Sequence, residues 1–108
     1  RRIAGAWLIL VRGLPVLYAA RNGRALISFP EGIRRTDSAL ETAIDALFEL
    51  PRSGRKGLLV IEKIDGVNVL ESPLLETFRS AGFGSDYRGL VDVRPPGTRP
   101  GEEARAGG

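Results

Sequence analysis

Cysteine and histidine are both missing from the 108 residues. Their absence removes disulfides, thiol nucleophiles, the usual zinc ligands and the imidazole bases of hydrolytic triads, leaving chemistry to Ser, Thr, Lys, Tyr and carboxylates. Long hydrophobic runs are missing too. Ala6-Trp7-Leu8-Ile9-Leu10-Val11 falls far short of the ~18 apolar residues that mark a membrane-spanning helix. No signal-peptide pattern precedes it, so the expectation is a cytoplasmic protein with no membrane partner. Methionine is absent as well, and the chain opens on Arg1-Arg2, as an excised piece of a longer chain would. Neither G-x-x-x-x-G-K-[ST] nor a G-x-G-x-x-G leading into a helix occurs, so no phosphate-cradling loop is expected.

What is present is a modest net charge of +3 carried by 14 Arg and only 2 Lys. Arginine offers the planar fork that grips phosphate, but a GC-rich codon usage gives the same excess, so composition alone does not show nucleic-acid binding. The length fits one domain, able to bury roughly 60 to 70% of its unfolded surface without metal or disulfide. That domain is expected over residues 1–94. From Pro95 the composition turns to Pro, Gly and charge with no large apolar residue, which predicts a disordered tail over 95–108.

The organising stretch runs from Ala4 to Phe29. Arg21-Asn22-Gly23-Arg24 places Asn-Gly between apolar runs, which predicts a two-residue type I′ hairpin. Gly13-Leu14-Pro15 makes an earlier bend, giving three strands: Ala4–Arg12, Val16–Ala20 and Ala25–Phe29. The first of them is apolar without interruption and, as a strand, would bury both faces. Pro30-Glu31-Gly32 ends the third strand, and a loop is expected up to Thr36.

Leu40, Ala43, Ile44, Leu47 and Phe48 recur at helical spacing behind Ser38 and Glu41, which have the spacing of a capping box. A helix over Asp37–Leu50 follows, stopped by Pro51. Arg52-Ser53-Gly54-Arg55-Lys56-Gly57 is then a basic connection. Leu58–Ile64 reads as a strand, Asp65-Gly66 as a second hairpin turn, and Val67–Leu70 as the return. Ser72-Pro73 starts a short second helix, and Gly82 stands at its left-handed end, with Phe83 folding back on Phe78. Tyr87–Val93 is the last strand.

The expected fold is therefore α+β, in the order β-β-β-α-β-β-α-β, mostly antiparallel and with two helices. One link should be parallel. A helix of about 14 residues rises ~20 Å, matching a six-residue strand, so it can return the chain to the starting end of the third strand.

No catalytic constellation stands out. Glu62, Asp65, Glu71, Asp86 and Asp92 lie on separate elements with no metal-ligand spacing, and Asp65 and Asp86 read as turn residues. Asp92 interrupts an apolar strand and is the weak catalytic candidate, set against a plain solvent-facing role. Aromatics sit on core periodicities, and only Tyr87, beside Arg88, looks placed for surface contact. Strand directions predict that Arg1, Arg2, Arg21, Arg24, Arg52, Arg55, Lys56 and Arg94 share one rim, a one-signed surface suited to nucleic-acid phosphates. Arg12, Arg34 and Arg35 should lie at the other rim, neutralised by Glu31, Asp37, Asp65 and Asp86.

A series of short motifs carries a family resemblance: Ala4-Gly5-Ala6-Trp7, Leu10-Val11-x-Gly13-x-Pro15-Val16-Leu17-Tyr18, Gly23-Arg24-x-Leu26, Glu62-Lys63-Ile64-Asp65-Gly66, Leu70-x-Ser72-Pro73-Leu74, Ala81-Gly82-Phe83 and Arg88-Gly89-Leu90. Over about Ala4–Arg94 the chain resembles the extreme C-terminal segment of Lhr-type superfamily 2 helicases. The resemblance implies a parent ATP-hydrolysing DNA helicase acting in DNA repair, with ATP and Mg²⁺ held in an upstream motor core and none in this piece. It also implies upstream winged-helix partners, DNA contact through the parent protein, and a barrel-like shape for this module. The fragment is expected to be non-catalytic. Two alternatives remain: a module associated with a DNA glycosylase, contributing the Asp92 carboxylate, and a purely structural cap.

Overall fold

The chain's structure, a computed structural model, describes residues 5–50 and 59–92. Its scaffold is set by turns that need left-handed backbone. β1 (Trp7–Val11) and β2 (Leu14–Ala20) are joined through Arg12 (φ 52°) and Gly13 (φ 83°), with Val11 opposite Leu14. A tight two-residue hairpin thus forms where the sequence indicated only a bend. Between Ile9 and Leu10 the register shifts, because Ile9 faces Leu17 while Leu10 faces Pro15, and the extra residue Val16 is turned into the core. β2 then pairs with β3 (Ala25–Ser28) across Asn22 (φ 60°, ψ 33°) and Gly23 (φ 92°), the dihedrals that Asn-Gly predicts. Arg24 N–H closes that turn on Arg21 O at 3.2 Å. Arg21 is itself left-handed (φ 56°), so the ladder stops at Ala20 opposite Ala25 without any change of register.

The stretch after β3 is a helix, α1 (Pro30–Arg35), not the expected loop. Pro30 sits at its first position, where a missing N–H costs nothing. Gly32 is buried against β2: a Cβ there would stand 1.9 Å from the Pro15 carbonyl oxygen, so only glycine lets the helix lie so close.

α2 (Ala39–Glu49) is the main helix, slightly shorter than the periodicity suggested. The capping box does not form. Ser38 is left-handed (φ 60°) and its side chain makes no cap, while Thr42 N–H bonds to the Ser38 carbonyl at 2.9 Å. Ala39, Leu40, Ala43, Ile44 and Leu47 bury the stripe that periodicity marked, and Phe48 is half-buried beside it. This stripe meets Ile9, Leu17, Ala19 and Leu26 on the inner face of the sheet in one hydrophobic core.

Leu58–Ile64 is not one strand. It divides at Glu62 into β4 (Val60–Ile61) and β5 (Lys63–Ile64), which belong to different sheets. The pivot is the Arg24 carbonyl, which accepts both Glu62 N–H (2.7 Å) and Lys63 N–H (3.1 Å) and so redirects the chain. β5 runs parallel to β3, Ala25 opposite Lys63 and Leu26 opposite Ile64, which is the expected parallel link. Asp65 (φ 53°) and Gly66 (φ 84°) then turn into β6 (Val67–Asn68). That return strand is short because a 3-10 turn follows over Val69–Glu71, started by Asn68 Oδ1 accepting Leu70 N–H at 2.8 Å.

Ser72 Oγ accepts Leu74 N–H at 3.0 Å ahead of α3 (Leu75–Ser80), and Gly82 (φ 124°) ends it. Phe83 does fold back: its ring lies 5.8 Å from that of Phe78 and stacks on Phe48 at 4.6 Å. The expected last strand is a hairpin, β7 (Phe83–Asp86) and β8 (Gly89–Asp92), with Tyr87 and Arg88 in the turn rather than in the strand.

The result is α+β with three helices. One sheet has the order β1-β2-β3-β5-β6 and the other β4-β8-β7; they share the core but do not close into the barrel-like shape that the resemblance implied. β1 is therefore an edge strand. Its inner residues Ile9 and Val11 are buried, yet Leu8 and Leu10 on its outer face are 53% and 52% exposed, contrary to the expectation of two covered faces. Among the described residues no helix is long and apolar enough to cross a membrane. The tail over 95–108 lies outside them.

Candidate nucleic-acid interface

Of the residues nominated for phosphate contact, Arg21 and Arg24 are described; Arg52, Arg55, Lys56 and Arg94, like Arg1 and Arg2, lie outside the described residues. Arg21 and Arg24 flank the Asn22-Gly23 turn and are exposed. Arg21 has no acidic partner among the described residues. Arg24 pairs through Nη1 with Glu62 Oε2 at 2.9 Å, an exposed pair worth at most about 1 kcal/mol. A phosphate could therefore compete for Arg24 at small cost.

Three separated parts of the chain converge on this turn. Asn22 N–H donates to Gly5 O at 2.9 Å, which ties the first described residue to it. Leu59, where the chain re-enters the described residues, lies so near Gly23 that a Cβ there would be 2.6 Å from Leu59 Cδ1. Asp92, the last described residue, donates its N–H to Leu59 O at 3.0 Å. Each of these residues adjoins one of the undescribed segments that hold the other nominated basic residues.

Arg12, expected to be neutralised, and Lys63, like Arg21, have no acidic partner among the described residues, whereas the other described arginines are paired. Arg34 and Arg35 on α1 both pair with Glu31, Arg35 at 2.9 Å, and Arg79 pairs with Glu76 at 3.1 Å. Arg88 Nη2 meets Asp86 Oδ2 at 2.7 Å, while Asp86 Oδ1 accepts Arg88 N–H at 2.8 Å. These bonds hold the Asp86 carboxyl below its ordinary range and push the Arg88 guanidinium up. Asp65 works as the turn residue the sequence suggested and also ties down the end of β3, accepting Ser28 N–H at 2.7 Å and Ser28 Oγ–H at 2.6 Å. Tyr87 is 93% exposed, with the Arg88 guanidinium carbon 5.7 Å from its ring centroid.

Asp92, the weak catalytic candidate, ends β8 opposite Phe83 and is half-buried. Among the described residues no cluster of three or more acidic side chains is placed to hold a metal. Sequence reasoning missed a recess between α2 and α3 of about 440 Å³, lined by Glu41, Asp45, Glu76, Thr77, Ser80 and Ala81. Its lining offers no cation of its own, and Glu76 there is already paired with Arg79, so the Asn22-Gly23 end is the better candidate for phosphate contact.

Comparison with known proteins bears on the family. The chain is 40% identical over 96 residues, covering 82% of its length, to a protein of Mycolicibacterium smegmatis described as "Lhr helicase/ probable uracil glycosylase". It spans only 6% of that relative's length. No family profile matches the chain, and no solved structure does.

Proposed function

From this kinship with a segment of an Lhr-type helicase, we propose that the chain is a non-catalytic C-terminal module of an ATP-dependent Lhr-type DNA helicase, supporting nucleic-acid binding or assembly in DNA repair. The observation that carries the reading is the convergence of Gly5, Leu59 and Asp92 on the turn that bears Arg21 and Arg24. Arg21, without an acidic partner among the described residues, and Arg24, held only by an exposed pair, can hold backbone phosphates without reading sequence. On this reading ATP and Mg²⁺ are held by a motor elsewhere in the polypeptide. The upstream winged-helix domains are its partners there, and the cytoplasm its compartment. Changing Arg21, Arg24, Arg55 and Lys56 together to Ala weakens DNA binding by the intact polypeptide and flattens its salt dependence; unchanged affinity and slope would place the contact elsewhere.

A second reading is favoured by the relative's description as a probable uracil glycosylase. The Asp92 carboxylate then stabilises the sugar cation, or orients a water, as the N-glycosidic bond of a damaged base breaks. Incubating intact protein and its Asp92→Ala variant with uracil-containing DNA tests this. Equal base release from both removes Asp92 from the chemistry.

A further inference from the structure

The outer face of the five-stranded sheet has an unusual composition for a surface. Residues paired directly across strands project to the same side, so Leu8, Tyr18 and Ile27 form one row and Leu10 with Pro15 the next. Ala20 and Ala25 continue the face until Lys63 on β5 and Asn68 on β6 turn it polar. Leu8, Leu10 and Ile27 are each about half exposed. An antiparallel sheet with a solvated face normally alternates apolar-in with polar-out, and an exposed apolar patch rimmed by charge marks an interaction surface.

The meander's own charges have one sign, and Arg12, Arg21 and Lys63 have no acidic partner among the described residues, although Glu62 pairs with Arg24 and Asp65 binds Ser28 at the border. No Asp or Glu occurs before Glu31, so the β1–β3 meander carries only cations. Arg12 stands at one end of this face, Arg21 and Arg24 at the other, and Lys63 on its flank. A second copy laid face to face would bring like charges together. Bases would find a poor platform, since Tyr18 is the one aromatic ring among aliphatic side chains, and stacking needs π-faces. The width also selects an occupant: three strands ~4.8 Å apart span roughly 10 Å between the outer two, about the diameter of one α-helix.

We propose that the outer face of β1–β3 docks one amphipathic helix, apolar along one side and bordered by acidic side chains, supplied by the preceding part of the same polypeptide. This rests on the reading of the chain as one module of a longer protein, of which the relative's much greater length is the motivation. The helix covers on the outside what α2 covers on the inside, and Arg12 and Lys63 pair with its acidic borders.

Site-specific photo-crosslinking in the intact polypeptide, without DNA, tests the inference. p-Benzoylphenylalanine in place of Leu10 or Ile27 should cross-link within the same polypeptide to one helical, acid-bordered segment, while the same probe in place of the exposed Glu41 on α2 should not reach that segment. Combining the probe with Arg12→Glu and Lys63→Glu should cut the yield at least fivefold. The 108-residue chain bearing Leu10→Glu should melt within a few degrees of the parent, showing that the face is not needed for folding. Cross-links between two copies of the polypeptide, to co-purified nucleic acid, or to no protein segment at all would overturn it. Because DNA is absent, this result and the DNA-binding result for the basic turn can fail independently.

Discussion

Arginines at two places in this module are used in opposite ways. On α1, Arg34 and Arg35 share Glu31 within one turn of helix, so both cations are held by one carboxylate of their own element and a net charge of one remains. At the β2–β3 turn, Arg21 has no acidic partner among the described residues, and Arg24 has a single exposed one from a distant part of the chain. The lesson is that counting basic residues says little about a phosphate surface. What matters is whether a carboxylate lies within reach on the same element.

Substitutions sharpen that contrast by separating the framework from the charges. The largest effect is expected in the core that holds both regions in place. Leu47→Ala removes a fully buried side chain under the inner sheet face and should cost about 3 kcal/mol, read as a fall in chemical-denaturation midpoint without a change of slope. Gly23→Ala should strain only the basic turn. Its φ of 92° and the nearby Leu59 methyl predict a loss of about 1 to 3 kcal/mol, with amide exchange rising first at Asn22 and Arg24. A loss as large as that of Leu47→Ala would mean the turn is not a separable feature.

The turn itself shows how much could be read in advance. Asn22-Gly23 and Asp65-Gly66 carry their left-handed dihedrals as side-chain chemistry dictates, and α2 was legible from its apolar stripe. Phe83 returns to Phe78 because Gly82 permits it. The misses have physical causes of their own. α1 has six residues, too few for a periodic stripe, and its Pro30 reads equally as a strand terminator. The division at Glu62 depends on a carbonyl of Arg24, 38 residues earlier, which no local pattern reveals. β7 hides behind Gly84 and Asp86, residues that seldom favour strands. β1 looked doubly buried because its sequence is equally apolar on both faces; the structure shows one face covered.

The candidate site was legible only in part. Arg21 and Arg24 lie together at the turn, but the Glu62 pairing is not foreseeable, since the sequence over β4 and β5 has the pattern of a single strand. Of the carboxylates expected to balance Arg34 and Arg35 only Glu31 reaches them, because α1 puts all three on one turn, while Asp65 binds Ser28 and Asp86 binds Arg88.

Smaller effects test the charges alone. Arg35→Ala should change stability by under about 0.5 kcal/mol, as expected of an exposed pair. The smallest effect lies in the β7–β8 turn. The Asp86 carboxyl titrates below its ordinary range because Arg88 bonds to its charged form, so any stability it lends is present above that range and fades as pH falls through its lowered midpoint. Arg88→Ala removes the guanidinium but keeps the backbone N–H bonds, so it should move the Asp86 titration, followed by carboxyl NMR shifts, part of the way back up, and an unmoved midpoint would assign the depression to the backbone alone.

The most direct measurement of the functional claim compares the two arginine pairs in one assay. DNA affinity of the intact polypeptide is followed against salt concentration for Arg21→Ala/Arg24→Ala and for Arg34→Ala/Arg35→Ala. The turn variant should lose affinity and shed roughly 1 to 2 from the log–log salt slope, one for each phosphate contact removed, while the α1 variant keeps the parental slope. Equal slopes for all three proteins, or a loss confined to the α1 variant, would contradict a DNA-contacting role for the Asn22-Gly23 end.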